Sequence, residues 1–268
     1  MAQNRPVSLC KQTDQGCLSL DSTFTFRCHE GLACFNRCCR KPTVILSPYD
    51  LLRLKGALGI SAGEFLQRYT RREIEANSNL PLIFLDAFRS PESGCPFLGE
   101  GGCLVYAQRP AACRLFPITM GSQLTERGVV DYYFCRRLDY CQGFATQMQW
   151  TVASWKANQG FEEYDQGPRE WLEILLRQGL QGPLAADAQG RNLMADLVYD
   201  LDRFRRLLME PAFFKACQLV GPVLEHLRAN DLALLKFAYR CLKAVLFQPD
   251  AELLDAALRS SVQAGEDD

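Results

Sequence analysis

Hydrophobic positions change their spacing about halfway along the chain. Over residues 43–46, Thr, Val, Ile and Leu follow one another, a largely β-branched run that predicts a short strand. Ser47 then offers an N-cap, Pro48 takes the first helical position, and Asp50 falls in the first turn, where the helix dipole favours an acid. The helix so begun runs to about residue 58 and stops at Gly59. Ser61 and Glu64 form a capping box for a second helix, carried through Phe65 and Tyr69 to about residue 76. Further strands are predicted over 82–88 and 129–134. Between them Pro91, Gly94, Gly99, Gly101 and Gly102 make a chain of turns.

Beyond residue 141 the period becomes helical. Segments 144–157, 169–178, 193–209, 212–228, 231–247 and 251–258 read as helices, with Leu193, Leu197, Leu201, Phe204 and Leu208 recurring at helical spacing. Cys217 aligns with Val220, Leu224 and Leu227, and Cys241 with Leu234, Ala238 and Val245, so both read as core residues packed like small hydrophobes. Glu162, Glu163 and Asp165 beside Tyr164 read as a solvated acidic turn. The expected architecture is α+β: an irregular cysteine-rich metal-binding domain with short strands and helices, followed by an all-helical C-terminal domain. The boundaries drawn are a polar leader over 1–21, the cysteine-rich domain over 22–141, the helical domain over 142–260 and an acidic tail over 261–268.

Composition narrows the partners. Of 268 residues, 48% are hydrophobic and 23% charged, with a net charge of −1. That balance suggests neither nucleic acid nor an anionic membrane as a partner. The start, MAQNRPVSLCKQTDQGCLSL, lacks the apolar segment of a signal peptide, and no apolar run approaches the ~20 residues that span a bilayer. A soluble, cytoplasmic chain is expected, with any protein partner or substrate meeting the helical half.

Thirteen cysteines are the outlier. An odd number without a secretion signal argues against a disulfide framework. Cys10 and Cys17 in the leader read as free thiols, with a redox sensor as the sharper alternative. Nine others cluster: Cys28, Cys34, Cys38 and Cys39; then Cys95, Cys103 and Cys113; then Cys135 and Cys141. These are the candidate metal ligands. Arg37, Arg40, Lys41 and Arg114 lie beside them, and cationic neighbours lower thiol pKa and offset the charge of a polythiolate centre. No C-x2-C knuckle of the kind usual in zinc sites occurs, and only His29 and His226 are present as histidines. His29 reads as a solvated or hydrogen-bonded loop residue, with ligation as the alternative.

Iron–sulfur clusters accept irregular spacing, because each thiolate reaches a different iron. Adjacent Cys38 and Cys39 point in different directions along an extended chain and suit two irons, or two sites. The spacing favours an iron–sulfur cluster over zinc and leaves zinc open. Nine thiols match two four-cysteine sites plus one spare, or one cluster with other uses for the rest. A radical C-x3-C-x2-C motif is begun by Cys34 and Cys38 but fails at Lys41, and no glycine loop resembles a Rossmann-type site for S-adenosylmethionine.

Larger motifs connect these groups. They are Phe26-Arg27-Cys28, Cys34-x3-Cys38-Cys39, Leu46-Ser47-Pro48-Tyr49-Asp50-Leu51-Leu52-Arg53-Leu54, Cys95-Pro96-Phe97-Leu98, and Cys103-x2-Tyr106-x2-Arg109-Pro110-x2-Cys113-Arg114-x2-Pro117. Over residues 24–141 the combination resembles the YkgJ-type cysteine-cluster family, a zinc- or iron-chelating domain. The resemblance implies metal chelation by cysteine. One branch is similar to flagellin lysine N-methylases, with the same kind of cysteine cluster and an implied iron–sulfur centre, so lysine N-methylase-like activity rests on resemblance alone. Within the motif, Arg109-Pro110 opens a short helix with Cys113 on its first turn. Asp50 and Arg53 read as an exposed helix pair, or as groups orienting cysteine loops. Tyr106 reads as packing, or as a hydroxyl bonded to a cluster loop.

Overall fold

A computed structural model describes residues 16–40, 42–87, 94–182, 189–217 and 219–248. Cys10, Lys41, the turn at Pro91, the helix expected over 251–258 and the acidic tail lie outside the described residues. Helix and strand are mixed, as in an α+β chain, and every described element from residue 152 onward is a helix. No helix among the described residues is long and apolar enough to cross a membrane. The chain packs as two compact units interleaved in sequence: residues 1–45 with 85–169, and 46–84 with 170–268. Segment 46–84 therefore packs with the later helices, whereas the change in periodicity draws a single boundary at residue 141.

The first unit is built from short antiparallel pairs. Strand β1 (Thr23–Thr25) pairs with a late strand at Gln149–Thr151, Phe24 opposite Trp150. Ile118–Thr125 and Gly128–Cys135 form a long hairpin, from Ile118 opposite Cys135 to Thr125 opposite Gly128. Only its second strand is predicted by the hydrophobic pattern. The first strand, ITMGSQLT, is polar in its middle, and a Cβ on Gly121 would stand 2.3 Å from the Tyr132 ring. The glycine that weakens the strand signal is the one that admits the tyrosine. Residues 144–157, expected as one helix, give instead a 3-10 turn at Gln142–Phe144, the strand Gln149–Thr151 and the helix Val152–Asn158. Thr151 and Ser154 form the capping box that starts the helix at residue 152.

An aromatic core holds these pieces. Phe26 is 2% exposed and meets Phe116, Phe144 and Trp155 at centroid distances of 5.8, 5.2 and 5.7 Å. The indole N–H groups are satisfied: Trp150 donates to the Phe26 carbonyl and Trp155 to the Leu115 carbonyl, both at 2.9 Å. The residue that anchors the core thus stands two positions before Cys28.

In the second unit the first expected helix, Pro48–Leu58, is present and ends at Gly59 with φ +66°. Asp50 is 2% exposed, so it is not part of an exposed ion pair. Its carboxylate accepts from the Ser47 N–H at 2.8 Å and hydroxyl at 2.7 Å, while Ser47 accepts the Asp50 N–H at 3.1 Å, a reciprocal cap. The next helix, Ala62–Tyr69, stops well short of residue 76. Thr70–Ile74 is a strand that hydrogen-bonds to Pro81–Leu85, itself paired with Ile45–Leu46. Sheet pairing outweighs the helix propensity of Arg71, Arg72 and Glu73.

The two long helices expected over 193–209 and 212–228 are each broken. They give Gln189–Leu197 and Leu201–Leu207, then Pro211–Ala216 and Gly221–Ala229. Asp200 ends one segment and caps the next by accepting the Arg203 N–H at 3.0 Å. Cys217 is consequently a C-cap residue rather than a position on a continuing helical face, while Cys241 is buried on Asp231–Phe247 as expected. Glu162 and Glu163 begin the helix Glu162–Gln181, where the dipole favours them, and are not a free turn.

Candidate metal centre

All nine clustered cysteines fall within the first unit. Cys28 follows β1, and Cys34, Cys38 and Cys39 occupy a turn and the 3-10 segment Arg37–Cys39. That segment is entered through Asn36 at φ 62°, a left-handed conformation asparagine tolerates. Cys95 precedes the strand Leu98–Gly99, which pairs with Gly102–Cys103 in a tight hairpin, Leu98 opposite Cys103. Gly102, at φ +127°, makes that reversal in a conformation that side chains rarely adopt. Cys113 is the third residue of the helix Ala111–Leu115, in the place the Arg109-Pro110 start predicts. Cys135 ends the long hairpin, and Cys141 precedes the 3-10 turn Gln142–Phe144.

Backbone bonds tie these loops to one another. The Cys95 N–H donates to the Cys39 carbonyl at 2.7 Å, and the Arg27 N–H to the Gly143 carbonyl at 2.8 Å. The Gln142 N–H donates directly to the Cys34 sulfur at 3.2 Å, and Cys34 is the one buried thiol of the nine. That contact ties the Cys34 loop to the turn after Cys141.

Gly143 allows the closest of these approaches. A Cβ there would lie 2.6 Å from the Phe26 ring and 3.1 Å from the Arg27 carbonyl oxygen. Gly143→Ala is expected to destabilise the protein by about 1–3 kcal/mol, the usual range for overpacking, and to displace the Cys141 turn. Urea unfolding of the two proteins side by side checks it; an unchanged midpoint would mean the Phe26 ring yields freely.

The thiols feel one another. The Cys38 and Cys39 sulfurs are 4.0 Å apart. The hydrogen bond shared with Cys39 brings Cys38 down to about 7, against the opposing effect of burial. Cys39 is raised, first by that shared bond and then by burial. Burial, with Cys38, Cys141 and Cys34 as negative neighbours, pushes Cys28 up to about 11. Cys95, Cys135 and Cys141 are also raised, burial being the largest cause in each. Without a cation the group resists ionising together; a bound metal removes that resistance.

One consequence is directly measurable in metal-free protein. A thiol is the nucleophile only when deprotonated, so Cys38 is expected to be alkylated first by iodoacetamide. Its rate should rise as pH passes through about 7 and level off above. Peptide mass spectrometry after brief labelling reads this, and equal labelling of Cys28 at neutral pH would contradict it.

The basic residues behave differently from the sequence expectation. Arg109 and Arg114 are each 8% exposed. Arg114 donates to the carbonyls of Gln159 and Ala107, both at 2.6 Å, and lies 4.4 Å from the Tyr164 ring centroid. Arg109 donates to the Tyr106 carbonyl at 2.7 Å and to the Gln159 side chain at 2.6 Å. Both arginines therefore brace the turn and helix that carry Cys113. Gln159, which serves both, carries no signal in the sequence. Tyr106 is 62% exposed, with its ring 3.9 Å from the Arg109 guanidinium, so it does not pack in the core. Arg37 lies over the Tyr140 ring at 4.7 Å, and His29 is an exposed loop residue. Cys17, read as a free thiol, is disulfide-bonded.

As the side chains stand, no three or more His, Cys, Asp or Glu among the described residues form a group that could hold a metal ion. The donor set nevertheless fits a soft or borderline metal by its chemistry: thiols from several loops of one unit, one with a depressed pKa and one accepting a backbone N–H. No curated protein and no solved structure matches the chain. Residues 27–142 match the model of the CxxCxxCC family, described as "putative zinc- or iron-chelating domain". Over those residues, less than half of its length, the chain is similar to this family of cysteine-cluster, zinc- or iron-chelating domains.

Proposed function

We propose that the nine cysteines of the first unit hold iron as iron–sulfur clusters of the [4Fe–4S] kind, in preference to zinc. The observation that carries this reading is the number of thiols that several loops bring to one unit: nine cysteines, with the Cys38 and Cys39 sulfurs 4.0 Å apart in a single turn. One small tetrahedral ion takes four thiolates, whereas a cluster several ångström across accepts irregularly spaced cysteines because each reaches a different iron. When bound, such a cluster supplies one-electron redox chemistry.

The chain's own contribution is to hold and shield the sulfurs. The Gln142 N–H donates to the Cys34 sulfur and holds it beside the Cys141 turn. The aromatic core around Phe26 fixes the Cys28 and Cys141 loops from beneath. Arg109 and Arg114 hold the helix bearing Cys113. Anaerobic reconstitution tests the reading. Metal-free protein given ferrous iron, sulfide and a thiol reductant should develop a broad visible charge-transfer absorption that dithionite bleaches. Uptake of zinc alone, with no such band from iron and sulfide, would overturn it.

A further inference from the structure

The second unit holds a cleft of about 360 Å³, lined by the helix Ala62–Tyr69, the strands Thr70–Ile74 and Pro81–Leu85, and the break between Gln189–Leu197 and Leu201–Leu207. That volume falls in the range of small-molecule sites, roughly 300–1,000 Å³. Its floor is apolar: Ile83, Leu197 and Tyr199 line it and are themselves buried. The Tyr199 hydroxyl donates to the Leu46 carbonyl at 3.3 Å, which leaves the ring as this residue's contribution to the cleft.

The helix break sets charges around the rim. Asp196 and Asp200 stand on either side of it, with the Asp200 N–H donating to the Asp196 carbonyl at 3.1 Å, and Arg203 follows one turn later. Asp196 is paired with Arg72 at 3.0 Å, and Arg72 shares its strand face with Thr70, which also lines the cleft. The other two charges are uncommitted. One oxygen of the Asp200 carboxylate accepts the Arg203 N–H at 3.0 Å as a helix cap. Among the described residues, neither the second Asp200 oxygen nor the Arg203 guanidinium has a hydrogen bond or an ion pair.

This distribution selects the occupant by charge. A simple anion drawn to Arg203 would meet two carboxylates, and a simple cation drawn to Asp200 would meet two guanidinium groups. A molecule that carries both charges answers both unpaired groups at once. We propose that the cleft binds a small zwitterion of the α-amino-acid type, with its carboxylate on Arg203, its ammonium on Asp200 and an apolar side chain over Ile83, Leu197 and Tyr199. The planar guanidinium can give the carboxylate two parallel hydrogen bonds, which fixes orientation as well as charge. The site lies wholly in the second unit and does not depend on the cysteines.

Ligand-observed saturation-transfer NMR on the full-length protein as purified tests the proposal with L-leucine as the probe. Two analogues each lack one charge: 4-methylpentanoate has no ammonium and isoamylamine no carboxylate. L-leucine is expected to bind, and each analogue at least about tenfold more weakly, the effect of losing hydrogen bonds to one charged group. Asp200→Asn keeps the helix cap, since asparagine caps as well as aspartate. It should abolish the preference for L-leucine over 4-methylpentanoate, and Arg203→Gln the preference over isoamylamine. No saturation transfer to L-leucine, or either analogue binding as well as L-leucine, would overturn the site. Both variants binding L-leucine as the parent does would also overturn it. Should a variant fail to fold, the analogue comparison on the parent still decides.

Discussion

Removing the bound metal is expected to unfold the first unit while leaving the helical core of the second intact. Apart from the long hairpin, the strands of the first unit are short: three residues at Thr23–Thr25 and two each at Leu98–Gly99 and Gly102–Cys103. Pairs so short are not stable alone, and the cysteine loops between them are held by turn bonds such as Arg37 N–H to the Cys34 carbonyl rather than by extended sheet. In small cysteine metal domains the ligation free energy is folding free energy, about 10–16 kcal/mol for structural zinc in peptide hosts. The second unit rests on ordinary burial, with Trp171 against Tyr199 at 5.3 Å and Phe204 against Phe213 at 5.9 Å. Hydrogen exchange before and after anaerobic chelation separates the two. Protection should vanish around Ile118–Thr125 and Gly128–Cys135 and persist in Asp231–Phe247. Retained protection in the long hairpin would mean that the aromatic core suffices without metal.

The largest expected effect of a single substitution away from the cysteines is at Arg114. Two short hydrogen bonds to carbonyls leave its guanidinium, which also stacks on Tyr164. Hydrogen bonds to a charged group contribute roughly 1.5–3 kcal/mol each, so Arg114→Met should cost about 3–6 kcal/mol. Arg114→Lys should recover little, because an ammonium cannot reproduce the planar fork that spans two acceptors. The loss should also weaken metal retention, since the helix Ala111–Leu115 carries Cys113 next to it. Denaturant unfolding of both variants measures the first effect and metal content after gel filtration the second. A lysine variant as stable as the parent would refute the bracing role.

Where sequence reading succeeded, the local chemistry was complete in itself. Ser47, Pro48, Asp50 and Gly59 each carry a positional meaning, and the helix they delimit has the bounds they predict. Asn230 and Asp231 likewise open a helix that runs to Phe247 with an uninterrupted apolar face. It failed where a long-range partner decides. Nothing near Thr70 announces that Pro81–Leu85 will capture it as a strand. The apolar period from Leu193 to Leu208 passes undisturbed over a break, because Leu197 and Leu201 keep helical spacing on either side of it.

The same distinction holds at the candidate site. Nine cysteines in irregular, glycine-rich sequence announce thiolate chemistry by type alone, and the turn at Gly102 is legible beside Cys103. The way the cysteine loops are tied together is not legible. It depends on the Arg27–Gly143 and Cys95–Cys39 backbone bonds, each between segments distant in the chain. Nor is the bracing by Gln159, an unremarkable glutamine after a short helix that becomes the shared acceptor of two buried arginines.

The most direct test of metal binding as iron–sulfur is elemental analysis of full-length protein purified without oxygen, reading iron, zinc and acid-labile sulfide per chain. Iron and sulfide in equal amounts are expected, about four of each for every four-iron cluster held. Zinc without sulfide, or neither metal, would contradict it.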